Sequence, residues 1–381
     1  DPNHDAEFAR DYPPARRPRF DREIDCFRRG PDGKRTDVAD LVRFVRLDDG
    51  RADLGDGLSV IRDDDSYAVH LDGAEVGRGP CRVELPQRAS RSIHPAEPFD
   101  PPLFGVTVLG ASHGFDPSGK TTGFVLWIGG RGVLIDPPCD TTEHLRERGV
   151  MPKLIEGVIL THCHADHDAG ILAKLLEEGR VRLWTTPTIL GSFLRKYGAL
   201  SGISEDVLRR TFSFSPITIG QATSILGGEL VGFYTLHSIP SLGFEVYYGG
   251  KSLAFSGDSL YDPARITAMA EDGVLTPERR DALIEFPWHH SVVLHEAGVP
   301  PLHTPIAALA ALPSQVKRRL FLVHIAKRDV PTGQGLRAAE VGLENTLRID
   351  VELPEHAAAA DLLGVLCAVD FFRELPMTRA R

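Results

Sequence analysis

Four side chains of metal-ligand type, His162, His164, Asp166 and His167, are packed into the stretch THCHADH. Imidazole nitrogens and carboxylate oxygens are the ligands that zinc and similar divalent ions take. Strand-like alternation puts His162 and His164 on one side of the chain, where they can share an ion. Asp166 and His167 are left to face a second. Two ions need more ligands than this stretch holds, and three further candidates each end or follow an apolar run. His237 ends FYTLH, Asp258 follows AFSG with Gly257 permitting a close backbone approach, and His324 ends LFLVH. The expected first site is His162, His164 and His237, and the second is Asp166, His167 and His324. Asp258 bridges the two. Paired sites of this kind hold ions roughly 3.5–4 Å apart and activate a water between them. Any one of these histidines alone reads more simply as a packed side chain. The placement they share, at the C-terminal ends of buried runs, carries the metal reading.

The elements that must position these groups can be read around them. GVIL before the cluster is the end of a buried strand, and DAGILAKLLEEG after it is an amphipathic helix ending at Gly179. Asp168 suits the dipole of that helix's first turn and needs no metal role. Cys163, pointed away by alternation, reads as a small buried filler. FGVTVLGA is a strand, GFVLWIGGRGVLID a hairpin, and TTEHLRERG a short helix with Thr141 or Thr142 as N-cap. TPTILGSFLRKYGAL reads as a helix, GFEVYYGGKSLAFSGDS as a hairpin, SVVLHEAG and KRRLFLVHIA as strands, with the helix TPIAALAAL between them. Hairpins mixed with helices predict an α+β fold, two sheets with helices packed outside. Residues 1–100 are polar and turn-rich with short strand-like runs such as LSVIR and YAVHL, and are expected to form a small β-rich N-terminal module. The expected catalytic domain is 101–354, and 355–381 is a C-terminal helix.

The chain has 381 residues, with 42% hydrophobic and 25% charged, as in globular proteins. Its formal net charge of -10 argues against a broad grip on phosphate backbones, so a nucleic-acid partner is not expected. No apolar run is long enough to span a bilayer. Five scattered cysteines, without CxxC pairing, suit a reducing cytoplasm.

The order THCHADH, His237, SGD at 256–258 and VH at 323–324 resembles the metallo-β-lactamase superfamily, over roughly Phe104 to Asp350. The resemblance implies an αββα sandwich with the metals at one edge. It also matches Asp136, in VLIDPP, to the family's early aspartate, which orients a ligand histidine without touching the metal. HSIPSLGFEVYYGGKSLAFSGDS and LHEAGVPPLHTP resemble the phosphodiesterase branch, which includes tRNA 3′-processing endonucleases and cyclic nucleotide phosphodiesterases. Glu296 and His303 fall at the branch's matching positions, and such a pair can donate a proton to a leaving alkoxide. The implied catalytic residues are Asp166, Glu296 and His303. His289, His290 and His295 read as structural or as supports behind the ligands. Lys327 and Arg328 read as solvated charge. GASHGFDPSGKTTG lacks phosphate-loop spacing, and its His113 is a candidate substrate contact.

The branch's basic, Gly/Pro-rich arm for tRNA has no counterpart between His167 and His237. DLLGVLCAVDFFRELPMTRAR resembles the opening helix of cyclic nucleotide-binding domains, which leads to the expectation that the natural chain continues beyond Arg381. The resemblance thus implies an enzyme, a dinuclear phosphodiesterase hydrolysing 3′,5′-cyclic AMP or GMP to 5′-nucleotides, with two divalent ions (zinc, manganese or iron) and a homodimer as the oligomer to test. An RNA endonuclease of the tRNA-processing type and a regulatory cyclic-nucleotide-binding protein with a structural metal site stay open at this point.

Overall fold

Apolar strands dominate the middle of the chain and pair into two sheets. A computed structural model describes residues 5–30, 33–81, 98–178 and 180–352. Two units are distinguished, Arg28–His94 and Asp1–Phe27 with Pro95–Arg381. The stretch 1–100 is therefore divided: helix α1 (Phe20–Phe27) and the turns before it belong with the larger unit, with Phe8 and Phe20 buried in its core. The smaller unit holds helix α2 (Val38–Leu41) and an antiparallel sheet of β1 (Arg51–Gly55), β2 (Leu58–Arg62), β3 (Ser66–Leu71) and β4 (Ala74–Pro80). Its turns Asp56-Gly57 and Asp72-Gly73 have positive φ at both residues, the tight hairpin geometry that Asp-Gly favours.

In the larger unit the first sheet has the order β10-β9-β8-β7-β6-β5-β17. These are β5 (Phe104–Gly110), β6 (Gly123–Ile128), β7 (Arg131–Ile135), β8 (Ile155–Ile159), β9 (Val181–Thr185), β10 (Phe212–Pro216) and β17 (Leu347–Arg348). The second, in sequential order, runs through β11 (Ala222–Ile225), β12 (Gly228–Tyr234), β13 (Leu242–Tyr248), β14 (Lys251–Phe255), β15 (Val292–Glu296) and β16 (Leu320–Val323). β5 and β6 are buried at every position, as strands covered on both faces must be. The sheets share one core; across it the rings of Phe124 and Phe255 meet edge to face at 4.9 Å. The helices are α3 (Thr141–Glu147), α4 (Ala165–Glu178), α5 (Pro187–Ser201), α6 (Glu205–Arg210), α7 (Pro263–Glu271), α8 (Pro277–Ile284), α9 (Ile306–Ala310) and α10 (Ser314–Lys317). The architecture is the expected αββα sandwich.

A further detail differs from the sequence reading. Helix α3 starts at Thr141, so neither threonine is its N-cap. Asp140 holds that position without a side-chain cap: its backbone (φ -97, ψ 13) is not the extended form a capping residue takes, and its Oδ2 accepts from Lys120 Nζ at 2.6 Å. The C-terminal helix expected at 355–381 lies outside the described residues. No described helix is long and apolar enough to cross a membrane.

Strand direction makes the site. β7 and β8 are parallel, β14, β15 and β16 are parallel, and β12 runs with β14 because both are antiparallel to β13. Their C-terminal ends carry Asp136, the 160–167 turn, Asp258, Glu296, His324 and His237. Backbone close approaches help bring them together. Gly257 has φ +57, and a Cβ there would lie 2.4 Å from Leu242 O.

Candidate metal centre

All seven ligand-type residues read from the sequence meet at this edge. His162, His164, His237 and Asp258 form one group and Asp166, His167 and His324 another, each with ligand atoms within 4.8 Å of one another. Asp258 Oδ2 lies between them, 3.6 Å from His162 Nε2, 3.9 Å from His237 Nε2, and 3.4 Å from both His167 Nε2 and His324 Nε2. Asp166 Oδ2 is 3.3 Å from His324 Nε2 and 3.8 Å from His167 Nε2. His164 Nδ1 is 3.2 Å from His162 Nε2 and 3.1 Å from His237 Nε2.

This edge is a poor place for such groups without a cation. His167 Nε2 and Asp258 Oδ1 are buried and have no hydrogen-bond partner among the described residues, and a buried polar atom left unpaired costs about 1–3 kcal/mol. A divalent ion accepts lone pairs from both, so the donor set fits one. Titration points the same way. Burial, then the charge of His167, pushes His162 well below the ordinary imidazole value; burial lowers His164 and takes His237 down to about 3. Neutral imidazoles are the form that binds metal. Burial would raise Asp258 and Asp166, but the imidazoles around them outweigh it: His167, His324 and His162 hold Asp258 well below its ordinary value, and His324 and His167 lower Asp166. His167 goes the other way. Burial disfavours its charge, yet Asp258 and Asp136 outweigh burial and hold its pKa well above the ordinary value, so metal must compete with a proton there.

Side chains behind the cluster hold it in place. Asp136, at the end of β7, sets its Oδ2 2.9 Å from His167 Nδ1 and accepts the Thr161 backbone N–H at 2.8 Å. Its φ of +43 and that of His324, +59, lie in the left-handed region, a strain of about 1–3 kcal/mol each that surrounding bonds must sustain. For His324 one such bond is its N–H to Thr122 Oγ1, 2.9 Å. Thr161 Oγ1 lies 3.0 Å from His162 Nδ1, and Leu302 O is 3.3 Å from His237 Nδ1. Asp136→Ala is expected to weaken metal binding about 10- to 100-fold, as measured by competition with a chelator.

Glu296 and His303 stand beside the cluster. His303 Nδ1 lies 3.3 Å from Glu296 Oε2 and 3.9 Å from Asp258 Oδ2, and its ring stacks on His324 at 4.6 Å between centroids. The other Glu296 oxygen accepts from Ser259 N (3.2 Å) and Thr304 N (2.8 Å), which fixes the carboxylate. Burial disfavours the His303 imidazolium, but Glu296, then Asp258 and Asp166, outweigh it and raise its pKa above the ordinary value.

The remaining sequence candidates find other partners. His290 Nε2 pairs with Glu245 at 2.7 Å, and His295 is packed among Tyr261, Phe286 and Trp288. Lys327 pairs with Glu340, and Arg328 with Asp116 and Ser118, so neither cation points freely at the site. His113 stays close, its ring 6.3 Å from that of His324, and the next residue's N–H donates to Asp166 Oδ2 at 3.0 Å. Asp168, read as a helix-dipole residue, does lie in the first turn of α4, but it is buried and held by Lys196 and Tyr197. Those two residues, with Thr161, Ser259 and Thr304, escape the sequence reading.

Residues 118–302 match the family described as the metallo-beta-lactamase superfamily. The chain belongs to that superfamily. As a member of it, the chain is 45% identical over 388 residues to the cGMP-dependent 3',5'-cGMP phosphodiesterase A of Dictyostelium discoideum, covering 98% of this chain and 44% of that protein. It is 41% identical over 274 residues to the cAMP/cGMP-dependent 3',5'-cAMP/cGMP phosphodiesterase B of the same organism, covering 71% of this chain and 25% of that protein. The Anti-Pycsar protein Apyc1 of Paenibacillus harenae is 22% identical over 226 residues, 58% of this chain and 88% of its own length. The chain thus spans less than half the length of the first two relatives.

Proposed function

We propose that this protein is a metal-dependent phosphodiesterase that hydrolyses 3′,5′-cyclic nucleotides, cyclic GMP or cyclic AMP, to 5′-nucleotides. The similarity to a cyclic GMP phosphodiesterase across 98% of the chain carries this reading. The geometry supports the hydrolysis itself. His162, His164 and His237 would hold one divalent ion, Asp166, His167 and His324 a second, and Asp258 would reach both. The nitrogen and oxygen donors suit zinc, with manganese and iron as alternatives. Bound ions supply Lewis acidity, neutralising phosphoryl oxygens and acidifying the attacking water.

The chain's own residues do the rest. Glu296 engages Nδ1 of His303, which leaves the far nitrogen of that ring for the departing 3′-oxygen, and the raised pKa keeps a proton available there. Asp136 fixes the His167 ring, and Thr161 the His162 ring. Asp166 couples the loop around His113 to the cluster through the Gly114 N–H. The same reading places the protein in the cytoplasm, where the free cysteines described, Cys26, Cys81, Cys139 and Cys163, stay reduced.

Incubation with cyclic GMP and cyclic AMP, followed by separation of 5′- from 3′-nucleotides, tests the proposal. The 5′-nucleotide is expected, because His303 protonates the 3′-oxygen. A 3′-nucleotide product would contradict that assignment. Cleavage of precursor tRNA with neither cyclic nucleotide consumed would favour the RNA endonuclease.

A further inference from the structure

The ligand turn is gripped from outside the cluster by one lysine. Lys196, on α5, donates to the carbonyl of Cys163 at 3.0 Å and to both oxygens of Asp168 at 2.8 and 2.7 Å. Those three acceptors match the three N–H donors of an ammonium. Asp168 is wholly buried, the Lys196 side chain is 28% exposed, and Tyr197 O–H donates to Asp168 Oδ1 at 2.8 Å. Cys163 Sγ also reaches Ile189 O of the same helix at 3.5 Å.

The gripped carbonyl belongs to the peptide between Cys163 and His164. The peptide is planar, so fixing its C=O fixes the N–H end from which His164 begins. His164 needs this support more than the neighbouring ligands His162, His167 and His237 do. His162, His167 and His237 each have a second ring nitrogen beside Thr161, Asp136 or Leu302 O. Among the described residues, only other imidazoles of the cluster, those of His162 and His237, come within hydrogen-bond distance of the His164 ring. Its ring is braced through the backbone instead.

We infer that Lys196 is a positioning residue for the metal centre: it orients the Cys163–His164 peptide, and so His164, while Asp168 holds the ammonium in place. This rests on the metal-centre reading above. Ligands must sit within about 0.5 Å of their working geometry, so freeing that peptide should weaken the site without removing any ligand.

The test uses the full chain and measures two quantities, zinc affinity by competition with a chromophoric chelator and the melting temperature of the metal-free protein. Lys196→Met is expected to lower zinc affinity at least tenfold and also to lower the metal-free melting temperature, because it strands the Asp168 carboxylate in the interior. The double variant Lys196→Met/Asp168→Asn removes that stranded charge. It should recover most of the melting temperature while zinc affinity stays at least tenfold low, and excess zinc should restore turnover. If the double variant recovers affinity together with stability, Lys196 only neutralises Asp168 and the positioning role is overturned. Wild-type zinc affinity in Lys196→Met overturns it as well. A wild-type chain that binds no zinc would instead overturn the metal-centre reading, and this assignment with it.

Discussion

Replacing Asp258 with Ala is expected to cut turnover of cyclic GMP by about 10³-fold or more, on the order of 4 kcal/mol of transition-state stabilisation, and to drop bound metal below two ions per chain. Asp258 Oδ2 approaches four imidazoles from both ligand groups within 3.9 Å. Taking it away removes the one anion shared by both groups and leaves His167 with Asp136 and Asp166 as its carboxylate neighbours. Metal analysis and steady-state kinetics on the same preparation check both parts. Turnover within tenfold of wild type at unchanged metal content would remove Asp258 from its bridging role.

His303→Ala should behave differently, losing about 10²- to 10⁴-fold in kcat while keeping its metal. The loss should largely vanish with a p-nitrophenyl phosphodiester, whose leaving group departs without needing a proton. An equal loss on both substrates would show that His303 holds structure or substrate and does not act as the acid. The pH dependence has a definite sign. His303 works protonated, so activity falls as pH rises through its pKa. Burial alone would lower that pKa, and Glu296 is the main group raising it. Glu296→Gln should therefore move the alkaline limb of the kcat profile to lower pH, with the acidic limb in place.

Much of the site was legible in the sequence because strand direction turns it into a local pattern. A polar ligand-type residue at the C-terminal end of an apolar run is visible one run at a time. His237, Asp258 and His324 were found that way, and the sandwich brings those ends to one edge. The supporting contacts are of another kind. Lys196 meets Cys163 across 33 residues and Asp168 across 28, and nothing local marks either pairing. One signal was present: Lys196 follows the buried Phe193 by one helical turn and precedes the buried Tyr197, on the apolar side of α5. A lysine on such a stripe calls for a buried partner. The N-terminal boundary was misplaced for a similar reason. Residues 5–27 are polar and Pro-bearing, with little periodicity, yet Glu23 makes a buried ion pair with Arg279, which also donates to the carbonyls of Tyr234 and Thr235 just before His237. Composition groups such a segment with the β-rich stretch that follows it, and only the tertiary partners show that it packs with the larger unit.

The most direct test of the central claim is a titration of metal-stripped protein with zinc, with bound metal and cyclic GMP turnover followed in the same samples. Turnover should climb until two ions are bound per chain, and Asp258→Ala should break this relation. Two ions bound with neither cyclic GMP nor cyclic AMP consumed, or full turnover with no metal bound, would contradict it.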